Sequence, residues 1–415
     1  MPWREMSPMD QRMQFVTEHA SGLFTMVELA EQYGISRKTG YKWVARHAAE
    51  GAPGLTDRSR RPHHSPQATD PAVIKALLEL RKRHPYWGAP KLLAVLTRQQ
   101  PDVEWPARTT VCDQLKAAGL VAARRRRRPR VAAPSRRGPI THANEVWTTD
   151  FKGEFRTGDG VYCFPLTLRD GFSRFVLRCD ALPCHTIAVT RPCFERAFAE
   201  YGLPERLRSD NGPPFGGPGL GRLSTLAVWW IRLGIVPERI DPGHPEQNGA
   251  HEQFHAVLKK ETARPPAATR VAQQRRFTRF CAEYNHERPH AALKDDVPGT
   301  HYQPSPRRLP SRLPPLEYPG HTIIRRVSKA GCVSWKAQPL FVSEVLASED
   351  VSFEEVDDGI WTVSFATMVL GRFDERRRRI DPIGPFTAGR SVTPAPVEIT
   401  RGRHADKRGA QRPGS

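Results

Sequence analysis

Apolar residues recur along the chain at two spacings, about three to four residues and about two, dividing it into helical and strand-bearing stretches. Helical spacing dominates the first 120 residues or so. Thr25-Met-Val-Glu28 forms a capping box, in which the Thr hydroxyl takes the Glu28 N–H and the Glu carboxylate reaches back. The helix it opens carries Val27, Leu29, Ala30 and Tyr33 and stops at Gly34. Ile35 follows as a buried spacer, and Ser36 caps a second helix, Arg37-Lys-Thr-Gly-Tyr-Lys-Trp-Val-Ala-Arg46. Helix, glycine-containing turn and basic helix make a helix-turn-helix pattern, whose second helix suits a major groove. Arg37, Lys38 and Lys42 would face that groove while Trp43 and Val44 pack inward.

A second helical unit follows, with predicted helices at 72–83, from Pro90 onward, and at 108–118. Val73, Leu77 and Leu80 share one face of the first, and Leu92, Leu93, Val95 and Leu96 fill the buried side of the second. Pro90 suits a helix start, and Gly119 a left-handed cap at the end of the third. From about Thr141 the spacing changes to alternation. Residues 145–151, 161–168 and 174–179 predict three strands joined by Thr157-Gly-Asp-Gly160 and Arg169-Asp-Gly171, an antiparallel meander. A helix at 185–201, a strand at 205–209, a helix at 220–233, a strand at 235–239 and helices at 249–262 and 269–285 complete an α/β arrangement. Asp357-Asp-Gly359 between short alternating runs marks a hairpin farther on.

The expected organisation is a helix-turn-helix DNA-binding domain at 1–60 and a second helix-turn-helix or winged helix at 71–122. An Arg-rich linker at 123–140 leads to an α/β core at 141–300. A stiff Pro-rich linker at 301–320, a small β-barrel at 321–380 and a disordered basic tail at 381–415 complete it.

Charge narrows the partner. Lys and Arg number 64 against 44 Asp and Glu, a net charge of +20, which points to a polyanion. No apolar run approaches the length of a membrane span and no secretory leader is expected, so nucleic acid is the favoured partner. Arg124, Arg125, Arg126, Arg127 and Arg128 form a block that cannot fold on itself and would track phosphates. Seven cysteines without a CxxC pair predict neither a disulfide framework nor a zinc site. The compartment reads as cytoplasmic, on the nucleoid.

Three acids stand at the tips of elements in the α/β stretch. Asp150 lies on the first predicted strand with Val146 and Thr148 on its face, and Asp210 ends the fourth strand before Asn211-Gly212. The third is Glu246 or Glu252. A helical wheel of the 249–262 segment puts Ala250, Phe254, Val257 and Leu258 on the core side, and Glu252 opposite them with Ala256 and Lys259. A carboxylate with a lysine farther along the exposed face suits a site that holds metal and a DNA phosphate. Glu246 lies before the helix, in a loop. Phosphodiester cleavage builds charge on attacking and leaving oxygens, which two Mg²⁺ ions roughly 3.5–4 Å apart can stabilise. Hard oxygen ligands suit Mg²⁺, whereas metal-free clustered carboxylates raise one another's pKa.

Five blocks resemble DDE transposases of bacterial insertion sequences, within the retroviral integrase superfamily. They are Trp147-Thr-Thr-Asp-Phe-Lys-Gly153, Asp170-Gly-Phe-Ser-Arg-Phe175, Arg208-Ser-Asp-Asn-Gly-Pro-Pro-Phe215, His244-Pro-Glu-Gln-Asn-Gly-Ala-His-Glu252 and Tyr284-Asn-His-Glu-Arg-Pro-His-Ala-Ala-Leu293. The resemblance covers about residues 10 to 300 and implies a ribonuclease-H-like catalytic core. It implies that Asp150, Asp210 and Glu252 bind two Mg²⁺ ions, with Mn²⁺ able to substitute. The implied reaction is hydrolysis at the element's ends to free 3′-OH groups, which then attack target DNA. Synapsis of two ends implies at least a homodimer. Two departures stand out. The 41 residues between Asp210 and Glu252 exceed the common family gap, with Gly216-Gly-Pro-Gly-Leu-Gly221 expected to absorb the excess. Gln253 also replaces an Arg that is common there. The rival readings are a DNA-binding regulator on an inactive integrase-like scaffold, and a nuclease that cuts without joining.

Overall fold

The computed structural model describes residues 6–59, 68–121, 138–240 and 249–382. Arg124 to Arg128, Glu246 and residues 383–415 lie outside the described residues. The chain divides into two compact units, Met1–Asp70 and Pro71–Ser415.

In the first unit, α1 (Pro8–Ala20), α2 (Met26–Gln32) and α3 (Arg37–Glu50) enclose Phe15, Val16, Met26, Leu29, Trp43 and Leu55. The Thr25–Glu28 box caps α2, with the Thr25 N–H donating to Glu28 Oε2 at 2.8 Å. Gly40 lets α3 press against its neighbours. A Cβ there would lie 2.6 Å from Met26 Sδ and 2.9 Å from Phe15 Cζ.

The second unit begins with α4 (Pro71–Arg83), α5 (Ala89–Gln99) and α6 (Arg108–Ala117), packed around Leu77, Leu80, Trp87, Leu92, Val111 and Leu115. Gly119 takes the left-handed conformation, φ +69°, that ends α6. This helical module docks on the core that follows. His84 stacks on Trp87 at 3.8 Å and meets Glu283 at 2.8 Å, while the Lys91 ammonium donates to Pro289 O. Burial, then the nearby Arg288 charge, pushes the Lys91 pKa down to about 8.

The core sheet comprises β1 (Val146–Phe151), β2 (Phe155–Arg156), β3 (Tyr162–Asp170), β4 (Val176–Leu182), β5 (Arg206–Ser209) and β6 (Val236–Arg239). Its order is β4-β3-β1-β5-β6, with short β2 paired to the start of β3. The first three long strands are antiparallel, as the meander predicts, and β5 and β6 join β1 in parallel. That mixture is the ribonuclease-H-like arrangement. Helices α7 (Ile187–Tyr201) and α8 (Thr225–Arg232) cover the face bearing Trp147, Leu166 and Leu207. Helices α9 (Gly249–Thr262) and α10 (Arg270–His286) cover the opposite face, where Cys163 and Val176 meet Phe254, Leu258 and Phe277. The helix expected from residue 220 begins at Thr225 instead, because Gly221 is left-handed and the Ser224 hydroxyl caps the Ala227 N–H.

Residues 301–320 carry neither helix nor strand. Their first part is nevertheless fastened to the core. Tyr302 stacks on Phe175 at 4.4 Å, and the Arg307 guanidinium donates to Pro204 O at 2.6 Å and Gly234 O at 2.7 Å.

The C-terminal part is the expected β-rich region: β7 (Ile323–Arg326), β8 (Cys332–Trp335), β9 (Gln338–Phe341), β10 (Asp350–Asp357), β11 (Ile360–Phe365), β12 (Met368–Asp374) and β13 (Arg379–Pro382). Five strands form the sheet β13-β12-β11-β10-β7, with β8 and β9 a separate hairpin. Among the described strands no pairing joins β13 to β7, so this is an open sheet where a barrel was expected. Apolar packing holds the hairpin to it, since Trp335 of β8 forms one aromatic cluster with Phe353 and Phe373 of the sheet.

Candidate active site

Strand register brings the first two acids together. Val146, Trp147 and Thr148 of β1 pair with Arg206, Leu207 and Arg208 of parallel β5. Carried two residues beyond the last paired position, that alignment leads Asp150 and Asp210 toward each other, and the Asp210 charge acts on Asp150. Side chains alternate along a strand, so Asp150 points away from the Trp147 face and toward the α9 side. Asp210 follows the same alternation after Leu207.

A further acid, Glu252, acts electrostatically on Asp150. Burial, and then the charges of Asp210 and Glu252, raise the Asp150 pKa to about 7 against opposition from the Phe151 N–H and Lys152. Burial also raises the Asp210 pKa, partly offset by the Gly212 N–H and Arg239. Glu252 is exposed in the first turn of α9, and Lys259 is exposed two turns along. Lys259 and Lys152 line one shallow depression beside Glu154 and Phe155.

Helix α9 is held against the sheet by polar groups. The Arg169 guanidinium, buried in β3, donates to Ala250 O at 2.8 Å and lies 4.8 Å over the Phe254 ring. His251 Nδ1 meets Thr148 Oγ1 at 2.9 Å, and Thr167 Oγ1 lies 2.6 Å from His251 Nε2 and 2.7 Å from His255 Nε2. His255 Nδ1 stands 3.6 Å from Asp150 Oδ2. The buried stripe of α9 is therefore His251, Phe254, His255, Leu258 and Thr262. Ala250, expected on the core side, is exposed. The wheel assigned neither histidine to a face; hydroxyls on β1 and β3 satisfy both imidazoles on the buried side.

Sequence reasoning also missed Arg169 and Asn285. Asn285 replaces a strand partner, accepting from the Val176 N–H at 2.8 Å and donating to Val176 O at 2.9 Å, which fixes α10 to β4. Asp170 of the second block is structural. It accepts the Asn144 N–H at 2.8 Å, the Ser173 N–H at 2.7 Å and the Ser173 hydroxyl at 2.6 Å. In the first unit Arg37, Lys38 and Lys42 are exposed on α3, with the Lys42 ammonium 4.4 Å over the Trp43 ring.

The donor set suits a hard divalent cation. Asp210 Oδ1 is buried without a hydrogen-bond partner among the described residues, and Asp150 holds its proton unusually tightly. Among the described residues no three His, Cys, Asp or Glu side chains converge into a closed cage. Mg²⁺ commonly uses one or two carboxylates and completes its shell with water and phosphate, so an open pair with a third acid nearby fits it.

Parts of the chain match known protein families. Two family models described as integrase core domain match residues 140–245 and 233–298. A helix-turn-helix domain model matches residues 11–63 and a homeodomain-like domain model residues 39–113. Among curated proteins, the "Insertion element IS476 uncharacterized 39.2 kDa protein" of Xanthomonas euvesicatoria is 25% identical over 245 residues, 58% of this chain and 67% of that protein. Similar solved structures include the HTLV-2 integrase catalytic core domain in complex with magnesium (15% identity, 39% of this chain and 98% of that one, TM-score 0.31). A simian T-cell lymphotropic virus intasome chain is similar too (16% identity, 71% and 97%, TM-score 0.34). At those scores the fold rests on the chain's own strand order. Core domain and DNA-reading helices together define a DDE polynucleotidyl transferase that acts in DNA integration. In these domains the chain is similar to the transposases of bacterial insertion sequences.

Proposed function

We propose that Asp150, Asp210 and Glu252 are the catalytic acids, and that the protein cuts the ends of its element and joins the freed 3′-OH groups to target DNA. The observation that supports this reading is the parallel β1–β5 pairing leading toward Asp150 and Asp210, with the Asp210 and Glu252 charges both acting on Asp150. These three would hold Mg²⁺, with Mn²⁺ as substitute, and the bound ions would stabilise charge on both the attacking and leaving oxygens. Lys259, exposed beyond Glu252 on α9, would steer a DNA phosphate toward the acids. Arg37, Lys38 and Lys42 of α3 would read the element's ends in the major groove. Arg124, Arg125, Arg126, Arg127 and Arg128 would neutralise phosphates between the domains. Handling two ends at once calls for at least two copies of the chain.

Protein, Mg²⁺, end-bearing DNA and a target plasmid incubated together test the reading. Joined products are expected. Cuts without joining would indicate a nuclease, and binding alone would return the chain to a DNA-binding regulator. No helix among the described residues is long and apolar enough to cross a membrane.

A further inference from the structure

Behind Asp150, one hydroxyl serves three partners. Thr167 Oγ1 is buried at 3.0 Å from Asp150 O, 2.6 Å from His251 Nε2 and 2.7 Å from His255 Nε2. A hydroxyl has one proton and two lone pairs. The backbone carbonyl of Asp150 can only accept, so the Thr167 proton goes there. Both imidazoles must then donate from Nε2 into the two lone pairs. His251 Nδ1 is left as an acceptor, which the Thr148 hydroxyl satisfies at 2.9 Å. All three contacts of Thr167 Oγ1 are thereby used, and the other nitrogen of His255 faces Asp150 Oδ2 at 3.6 Å.

The two imidazoles sit one turn apart on α9, flanking the turn that carries Glu252. Thr167 sits on β3 and grips the strand residue Asp150. We propose that Thr167, with His251 and His255, is a positioning node that fixes Glu252 on its helix relative to Asp150 on its strand. Metal affinity then depends on a hydroxyl that itself touches no metal. This rests on the assignment of the three acids as metal ligands. Groups that orient ligating carboxylates from behind typically change metal affinity by about 10–100-fold when removed. The isosteric change Thr167→Val removes the hydroxyl and leaves three buried polar partners without it, so α9 and β1 lose their common reference.

The full-length chain is titrated with Mn²⁺, following the free ion by its electron spin resonance signal. Thr167→Val should bind Mn²⁺ at least about tenfold more weakly than wild type, and Thr167→Ser should restore most of the affinity. Single-turnover cleavage by Thr167→Val should recover as Mn²⁺ is raised, with the apparent affinity for end DNA unchanged. Asp150→Asn separates the two claims. Lost Mn²⁺ binding there, with wild-type affinity in Thr167→Val, overturns the node alone. Unchanged affinity in Asp150→Asn overturns the acid assignment and the node with it. If Thr167→Val fails to fold, nitrogen NMR of histidine-labelled wild-type protein decides, with the two rings assigned from His251→Gln and His255→Gln. Both rings neutral and protonated at Nε2 supports the node, and a proton on Nδ1 of either ring overturns it.

Discussion

In the metal-free protein the Asp150 carboxylate works against the fold, so Asp150→Asn should stabilise it. Unfolded, the side chain releases its proton near its ordinary 3.8, whereas in the fold burial and the Asp210 and Glu252 charges hold that proton to about 7. Between those values the folded chain carries one more proton than the unfolded chain. Stability is therefore intact below about pH 4, declines as pH rises, and reaches its full deficit above about pH 7. The displacement corresponds to roughly a thousandfold in proton affinity, or about 4 kcal/mol. With 22% of the side chain exposed, water moderates this. A gain of about 2–3 kcal/mol for Asp150→Asn at pH 8 is the working expectation, near zero at pH 4.

Urea unfolding in EDTA at pH 4.5 and pH 8 measures it, read by the buried Trp147 and Trp230. The Asn variant should be the more stable protein at pH 8, with the difference falling to about a quarter of that at pH 4.5. Mg²⁺ added at pH 8 should stabilise wild type by mass action and the Asn variant far less. A variant less stable than wild type at pH 8 in EDTA, or an equal Mg²⁺ response in both, refutes the reasoning.

Glu252→Gln should abolish single-turnover cleavage of end DNA while leaving DNA binding intact, and Glu246→Gln should remain active; the reverse outcome moves the third acid to Glu246. Gly40→Ala should cost the first unit about 1–3 kcal/mol, because its Cβ would meet Met26 Sδ at 2.6 Å, and an unchanged thermal midpoint would show that the helices can yield. Replacing Arg37 and Lys42 by Ala should weaken binding to end DNA by about 1–3 kcal/mol for each base no longer read, checked by footprinting on the ends. Replacing Arg124 to Arg128 by Ser should reduce the slope of log K against log salt by about 0.9 for each phosphate no longer neutralised, and an unaltered slope would make the run a solvated linker.

Local chemistry made most elements legible. A capping box, a serine cap and a glycine stop are short-range signals, and α2, α3 and α9 begin where those residues and Gly249 indicate. Asp150 and Asp210 could be placed at strand tips because alternation and the Asn211-Gly212 turn are equally local. The helix start after residue 220 could not, since the left-handed turn at Gly221 and the Ser224 cap fall inside the predicted span. Whether the C-terminal strands close into a barrel depends on which strands meet at the two edges, and no alternation pattern encodes that.

His251 and His255 show the limit most clearly. Spaced four residues apart, they match an inward helical stripe with Phe254 and Leu258, which was the available signal. An imidazole can stand on either face of a helix, and nothing nearby in sequence decides which. The answer lies 84 and 88 residues away, where Thr167 occupies the same sheet face as Asp150. An imidazole is costly to bury until a hydroxyl waits for it, and then it locks helix to strand with direction as well as affinity. A transposase must hold three mutually repelling carboxylates in register before any cation neutralises them. Apolar packing by Phe254 and Leu258 alone would let α9 slide along the sheet. Two directional bonds into one hydroxyl forbid that slide, which is why the polar residues stand on the buried side.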